Sequence, residues 1–142
     1  MNTTLAATAG AVVFVWLGMV LAVSFLEAPL KFRAPGVTIP IGLGIGRLVF
    51  RALNLVEAAL AAFVVVAVAA GGAPAAVVVF TAVVAVLLAV QLGVVRPRLN
   101  RHSDRVLAGE ELPRSRGHLS YVALEIAKVI ALIALGISVL AR

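Results

Sequence analysis

The stretch that decides the fold runs from Ala52 to Val95 and reads ALNLVEAALAAFVVVAVAAGGAPAAVVVFTAVVAVLLAVQLGVV. It contains a single charged residue, Glu57. A membrane-spanning helix needs about 20 mainly apolar residues, so this stretch has the length of two crossings. The break between them falls at Gly71-Gly72-Ala73-Pro74, because glycine ends helices readily and proline favours a first helical turn. The stretch therefore predicts a helical hairpin within a membrane.

Two more apolar runs flank this hairpin. Leu5–Leu26 carries no charge, and Leu119–Ala141 carries only Glu125 and Lys128, which are three residues apart and can pair on one helical face. We therefore predict an all-α fold, a four-transmembrane-helix bundle that forms a single membrane domain over residues 1–142. The predicted helices cover about 5–26, 48–70, 74–95 and 118–140, with cytoplasmic connections at about 27–47 and 96–117.

The composition excludes an ordinary soluble domain. Hydrophobic residues make up 63% of the chain and charged residues 13%, and the mean hydropathy is +1.18. Soluble domains carry about 25% charged residues, so this chain has too few polar side chains to cover a globule in water. It has no cysteine, which excludes disulfides, thiolate metal sites and cysteine nucleophiles. The bilayer is therefore the first predicted partner.

The net charge of +6 reflects membrane topology rather than nucleic-acid binding. Ten of the 12 basic residues fall in two connections, and such residues stay on the cytoplasmic side. Both termini are therefore predicted to be non-cytoplasmic. The first group is Lys31, Arg33, Arg47 and Arg51. The second group, expected to lie near anionic lipid head groups, is Arg96, Arg98, Arg101, Arg105, Arg114 and Arg116.

The N-terminal residues indicate that the first helix is retained. Met1–Thr4 has no positive charge, and the apolar run that follows is longer than the core of a cleaved signal peptide. The chain is rich in Ala, Val and Arg and poor in Lys, which is typical of a bacterium with a high-GC genome. We therefore expect a multi-pass protein of the bacterial plasma (inner) membrane.

One segment between the first two helices is apolar but interrupted. Residues 37–46 read VTIPIGLGIG. The segment is expected to be interfacial or re-entrant, and its glycines are expected to permit close helix packing. They do not form a nucleotide-binding loop, because the GxGxxG spacing and a preceding strand are both missing.

Polar residues of the helices fall at similar depths in the predicted cytoplasmic leaflet. At 1.5 Å per residue, Glu57 lies about 9 Å beyond Arg51 and Glu125 about 10 Å beyond His118. Intramembrane charges usually face the bundle interior, so we expect them to meet. The predicted intramembrane polar cluster is Asn54, Glu57, Gln91, His118, Tyr121, Glu125 and Lys128. Trp16 is expected to be a core or lipid contact.

Three functions are compatible with such a cluster. In the leading one the protein is a non-enzymatic accessory, assembly or interaction subunit, in which the cluster fixes which helices meet and the protein joins a homo-oligomer or a larger membrane complex. In the alternative, Glu57 and Glu125 are the coupling site of a small proton- or cation-coupled transporter. In the third, the stripe of His118, Tyr121 and Glu125 performs acid–base catalysis.

The sequence argues against the enzyme, because no nucleophile elbow, metal-ligand pair or phosphate loop accompanies the stripe. His102 and His118 are too far apart in sequence for a metal-binding spacing and lie on one side of the membrane, which excludes a pair of haem ligands in the bilayer. We therefore expect no catalytic residue, no metal and no cofactor.

Several short motifs occur together in one order, and they begin with a tryptophan in the first helix. They are Trp16-Leu17-Gly18, Phe25, Ala28-Pro29, Phe32, Gly46, Val49-Phe50, Arg96-Pro97-Arg98 and Gly117-His118-Leu119. In this order they resemble a family of small four-helix integral membrane proteins of unknown function, similar to platinum-drug-tolerance and copper-resistance membrane proteins. The resemblance implies the four-helix fold and no reaction. It assigns no role to Glu57, Glu125 or Lys128.

Overall fold

The computed structural model describes residues 1–110 and 116–141, and the side chains of residues 1–110 and 118–141. These residues form four long helices and no strand. We call the helices α1 (Thr3–Arg33), α2 (Ile39–Ala70), α3 (Ala75–Leu107) and α4 (Arg116–Leu140). All four are long and apolar enough to cross a membrane. The predicted all-α, four-helix fold is therefore confirmed.

The helices pack as an up-and-down bundle with a square cross-section. The principal packing contacts join α1 to α2, α2 to α3, α3 to α4 and α4 back to α1. Consequently α2 and α4 face each other across one diagonal of the bundle, and α1 and α3 across the other. Between them lies an apolar core, lined on its four sides by residues such as Val13, Val64, Val84 and Leu132.

The two ends of the bundle differ in chemistry. At one end, which we call the hairpin end, the amino group of Met1 donates a hydrogen bond to the carbonyl of Gly72 at 3.4 Å, and Gly10 packs against Leu140. Gly72 adopts the left-handed backbone (φ 64°) that the tight turn from α2 to α3 requires. The opposite end, which we call the basic end, has an ion pair between Arg47 and Asp104 that joins α2 to α3.

The connections at the basic end are shorter than predicted. Residues 39–46, expected to be interfacial or re-entrant, form the continuous start of α2. Thr38 caps this helix by accepting a hydrogen bond from the Ile41 N–H, and Pro40 suits the first turn, where its missing N–H costs nothing. Similarly, α3 continues as an α-helix from Arg96 to Leu107 instead of ending at Val95.

The glycines at the start of α2 permit the close packing that the sequence predicted. The ring of Phe32 lies directly against Gly42, and a Cβ atom at Gly46 would lie 2.9 Å from Lys31 Nζ. Gly44 has open space beside it. Because Gly42 and Gly46 are one helical turn apart, they let the end of α1 fold back onto α2.

Both α1 and α3 contain a π-helical segment before a proline. These segments are Leu21–Glu27 and Gln91–Val95, and each ends two residues before Pro29 or Pro97. A proline has no N–H and its ring displaces the carbonyl four residues earlier, so a regular α-helix cannot continue through it undisturbed. The wider π-helical turn lets the helix continue towards the proline with its backbone hydrogen-bonded, because the N–H of Ala28 donates to the carbonyl five residues before it. Such segments often occur at functional sites.

The orientation of the bundle stays a prediction that labelling can test. Because the chain has no cysteine, single cysteines introduced at the exposed positions Pro74 and Ala108 would be the only thiols. In intact cells, an impermeant maleimide should modify P74C and leave A108C unmodified until the cells are opened. The reverse pattern would place the basic end outside and contradict the positive-inside assignment.

Candidate functional site

The centre of the bundle contains an ammonium group between two carboxylates. Lys128 Nζ on α4 lies 2.5 Å from Glu57 Oε2 on α2 and 2.6 Å from Glu125 Oε1 one turn earlier on α4. All three side chains are at most 1% exposed. Because α2 and α4 lie at opposite corners of the bundle, the bond from Lys128 to Glu57 spans the bundle interior. The predicted pairing of Glu125 with Lys128 is confirmed.

The two remaining helices complete this arrangement with hydrogen bonds. Gln91 on α3 accepts from Lys128 Nζ at 2.8 Å and donates to Glu125 Oε1 at 3.2 Å. Trp16 Nε1 on α1 donates to Glu57 Oε2 at 2.8 Å, and Ser24 Oγ donates to Glu125 Oε2 at 2.6 Å. All four helices therefore contribute. We call these residues the ion network: Trp16, Ser24, Glu57, Gln91, Glu125 and Lys128.

The π-helical segments position two members of the ion network. Ser24 lies within the segment of α1 and Gln91 begins the segment of α3. Both side chains bond Glu125, from the two helices that flank α4. Pro29 and Pro97 therefore affect the site indirectly, because they cause the widened turns from which these side chains project.

Charge in the ion network is unbalanced when both carboxylates are ionised. Two carboxylates and one ammonium leave one negative charge, in a region where an unpaired ion costs several kcal/mol. Lys128 donates to groups on three sides, whereas Glu57 Oε1 is buried and has no hydrogen-bond partner within the described part of the chain. One proton, or one small cation, would neutralise the group.

The ion network is closed towards the hairpin end. On that side the space beside Trp16 is lined by apolar residues such as Val64, Val84 and Leu135, and it is too small for a water molecule. Beyond it lies the apolar core, where Leu132 and Leu135 are fully buried. Among the described residues, this space beside Trp16 therefore gives water no passage towards the hairpin end.

Towards the basic end, in contrast, a cavity of about 100 Å³ reaches Glu125. This volume corresponds to about three water molecules at roughly 30 Å³ each. Tyr121 and Arg96 form one wall, and the Arg96 guanidinium stacks on Tyr121 at 4.4 Å and on Phe50 at 4.7 Å. We call it the basic-end cavity, and its lining is Ser24, Phe25, Ala28, Phe50, Arg96, Leu99, His118, Tyr121, Val122 and Glu125.

The structure divides the predicted cluster into two groups and leaves Asn54 outside both. It brings Glu57, Gln91, Glu125 and Lys128 together in the ion network. Tyr121 and His118 instead line the basic-end cavity, and Tyr121 is buried whereas His118 is exposed. Asn54 is buried, but its Oδ1 has no hydrogen-bond partner among the described residues.

Sequence reasoning missed two members of the ion network. Trp16 was expected to be a core or lipid contact, and it is a buried hydrogen-bond donor to Glu57. Ser24 was not selected at all. The sequence signal that could have identified them together is periodicity, because Trp16 and Ser24 are eight residues apart and share a helical face. The partner across the bundle could not be identified, because it depends on which helices are adjacent.

The predicted head-group arginines also divide into different environments. Arg96 is half-buried in the wall of the basic-end cavity, where its guanidinium lies over the rings of Phe50 and Tyr121. Arg98, Arg101 and Arg105 are exposed on the last turns of α3, and Arg105 pairs with Glu110 at 3.1 Å. Arg114 and the side chain of Arg116 lie outside the described residues.

The fold and the site define a helical-bundle protein with a buried ion network. No family model, curated protein or solved structure matches the chain. The resemblance carried by the short motifs stays a prediction. Within residues 1–110 and 116–141, no group of three or more histidine, aspartate or glutamate side chains is arranged to hold a metal ion.

Removing the ammonium group should destabilise the bundle. In Lys128→Met the two carboxylates lose their shared cation, and the free energy of unfolding should fall by about 3 kcal/mol. Unfolding by sodium dodecyl sulfate, followed by circular dichroism, measures this change. Ile130→Met, on the exposed face of the same helix, is the matched control and should unfold like the wild type.

Adding Glu57→Gln to Lys128→Met should restore part of the lost stability, because one buried carboxylate is then removed. An equally unstable double variant would show that the loss in Lys128→Met came from packing and not from charge.

Proposed function

We propose that the protein is a small proton- or cation-coupled membrane transporter whose coupling site is the pair of carboxylates around Lys128. The observation that supports this proposal best is the unbalanced charge of the fully buried ion network. With one ammonium for two carboxylates, the network accepts one further positive charge without leaving a buried net charge.

The cost of the ion network also favours a functional role. Polar contacts between membrane helices contribute about 0.6 kcal/mol on average, so neutral side chains would specify the helix arrangement at a lower desolvation cost. Ionisable groups in membrane helices usually mark ion or substrate pathways. A network used only for assembly has no need for three ionisable groups.

Access to the site supports the same proposal. The basic-end cavity gives water a route to Glu125, and Lys128 connects Glu125 with Glu57. The packed hairpin half closes the other side. Alternating access requires a site that is open to one side at a time, and this arrangement corresponds to a state open towards the basic end.

The test is proton flux in vesicles that contain the purified protein. With an imposed membrane potential and a trapped pH-sensitive dye, we expect flux above that of empty vesicles. Glu57→Gln should abolish it while the protein stays helical and monodisperse, because the network is then neutral without a proton. Glu27→Gln is the matched control, since Glu27 lies outside the ion network, 3.8 Å from Lys31, and it should retain flux.

Two results would contradict this proposal. One is wild-type flux equal to that of empty vesicles, both with and without a sodium or potassium gradient. The other is unchanged flux in Glu57→Gln.

A second candidate function is that of an accessory subunit acting through helix contacts. It is favoured by the exposure of three small residues, Gly18, Ala58 and Ala62, on α1 and α2. Small residues let the backbones of two membrane helices approach closely. Purification in native nanodiscs would then yield a second protein in constant ratio, and Ala62→Phe should release it. Ile133→Phe, on the exposed face of α4, is the control that should retain the partner.

A further inference from the structure

The basic-end cavity holds polar atoms that the ion network does not use. Tyr121 is 5% exposed, and its buried hydroxyl interacts with the adjacent Arg96 side chain but donates no hydrogen bond to the described residues. Arg96 Nε is also buried and has no acceptor among the described residues. Both side chains line the same cavity. Buried donors are nearly always paired, so these two donors require an acceptor within the cavity, which water or an oxygen-bearing ligand supplies.

The charge of Arg96 narrows the ligand class. Its guanidinium lies over the rings of Phe50 and Tyr121, and no ion pair joins it to a carboxylate of the described side chains. The nearest carboxylate of the cavity, Glu125, is already bonded by Lys128, Ser24 and Gln91. Arginine binds carboxylate and phosphate oxygens with particular strength.

The size and walls of the cavity limit the ligand further. About 100 Å³ accommodates a small oxyanion group. Phe25, Ala28, Leu99 and Val122 supply apolar surface, which suits a short alkyl group attached to the charged end.

We propose that the basic-end cavity is a binding site for a small oxyanion, a carboxylate or phosphate group held by Arg96 and Tyr121. That this oxyanion is also the substrate moved by the transporter rests on the proposed function. Its binding in the cavity does not require transport. The oxyanion can come from solution, as a short carboxylate, or from the head group of an anionic lipid, because the cavity faces the end of the bundle that carries the arginines.

The test uses the only tyrosine in the chain, Tyr121. Protein carrying ¹³C-labelled tyrosine in nanodiscs of zwitterionic lipid gives one ring signal, which reports directly on the cavity. Sodium propionate should shift this signal saturably, and sodium chloride at equal ionic strength should not. In nanodiscs containing phosphatidylglycerol, a signal already shifted and insensitive to propionate would identify the lipid head group as the source of the oxyanion.

Two arginine variants decide whether Arg96 holds the ligand. Arg96→Gln should weaken propionate binding at least tenfold, because it removes the charge and the Nε donor. Arg98→Gln removes the same charge from an exposed position two residues away and should change binding less than twofold. If Arg96→Gln does not fold, Arg96→Lys replaces it, since it keeps the charge and loses the Nε donor; it should also weaken binding.

The inference is overturned if neither propionate nor phosphatidylglycerol shifts the signal, or if Arg98→Gln weakens binding as much as the Arg96 variant. Its failure is distinguishable from failure of the proposed function. Propionate binding without proton flux, measured in vesicles supplied with propionate, would sustain the oxyanion site and reject the transporter, and flux without binding would do the opposite.

Discussion

The bond from Lys128 to Glu57 is the interaction on which the rest of the site depends. It crosses the bundle diagonal, so it constrains two helices that do not otherwise form principal contacts. Once Lys128 is placed there, Glu125 lies within reach one turn away. Gln91 accepts a hydrogen bond from Lys128, Trp16 donates to Glu57 and Ser24 donates to Glu125, which leaves Glu57 Oε1 as the one carboxylate oxygen of the network without a partner among the described residues. In a low-dielectric interior such a network is stable only when nearly every member is satisfied.

The surroundings of the ion network make it asymmetric. Small and β-branched side chains fill the hairpin half tightly, whereas aromatic and cationic side chains leave the basic-end cavity beside Glu125. The prolines that follow the two π-helical segments contribute to this difference, because the widened turns at Ser24 and Gln91 lie between the two halves. A buried charge beside a water-sized cavity is suited to exchange with the side on which that cavity lies, which is the basis of the proposed transport function.

Much of the fold follows from the sequence, because hydrophobic length is a strong constraint in membranes. The run from Ala52 to Val95 predicts two helices and their turn, and the structure has both. At the basic end the helices were predicted too short, since segments such as 39–46 and 96–107 extend them beyond the apolar runs. The depth of Glu57 and Glu125 could be derived from their distance to flanking charges. The roles of Trp16 and Arg96 could not, because they depend on lateral helix packing.

The central claim is that the ion network holds one exchangeable proton or cation, and infrared spectroscopy of the protein in lipid tests the proton directly. The account predicts a protonated-carboxyl band near neutral pH that shifts in ²H₂O. The band should disappear in either Glu57→Gln or Glu125→Gln, since the remaining carboxylate and Lys128 are then balanced, and it should persist in Glu27→Gln. A wild-type spectrum without this band at neutral pH, in medium free of sodium and potassium, would contradict the account.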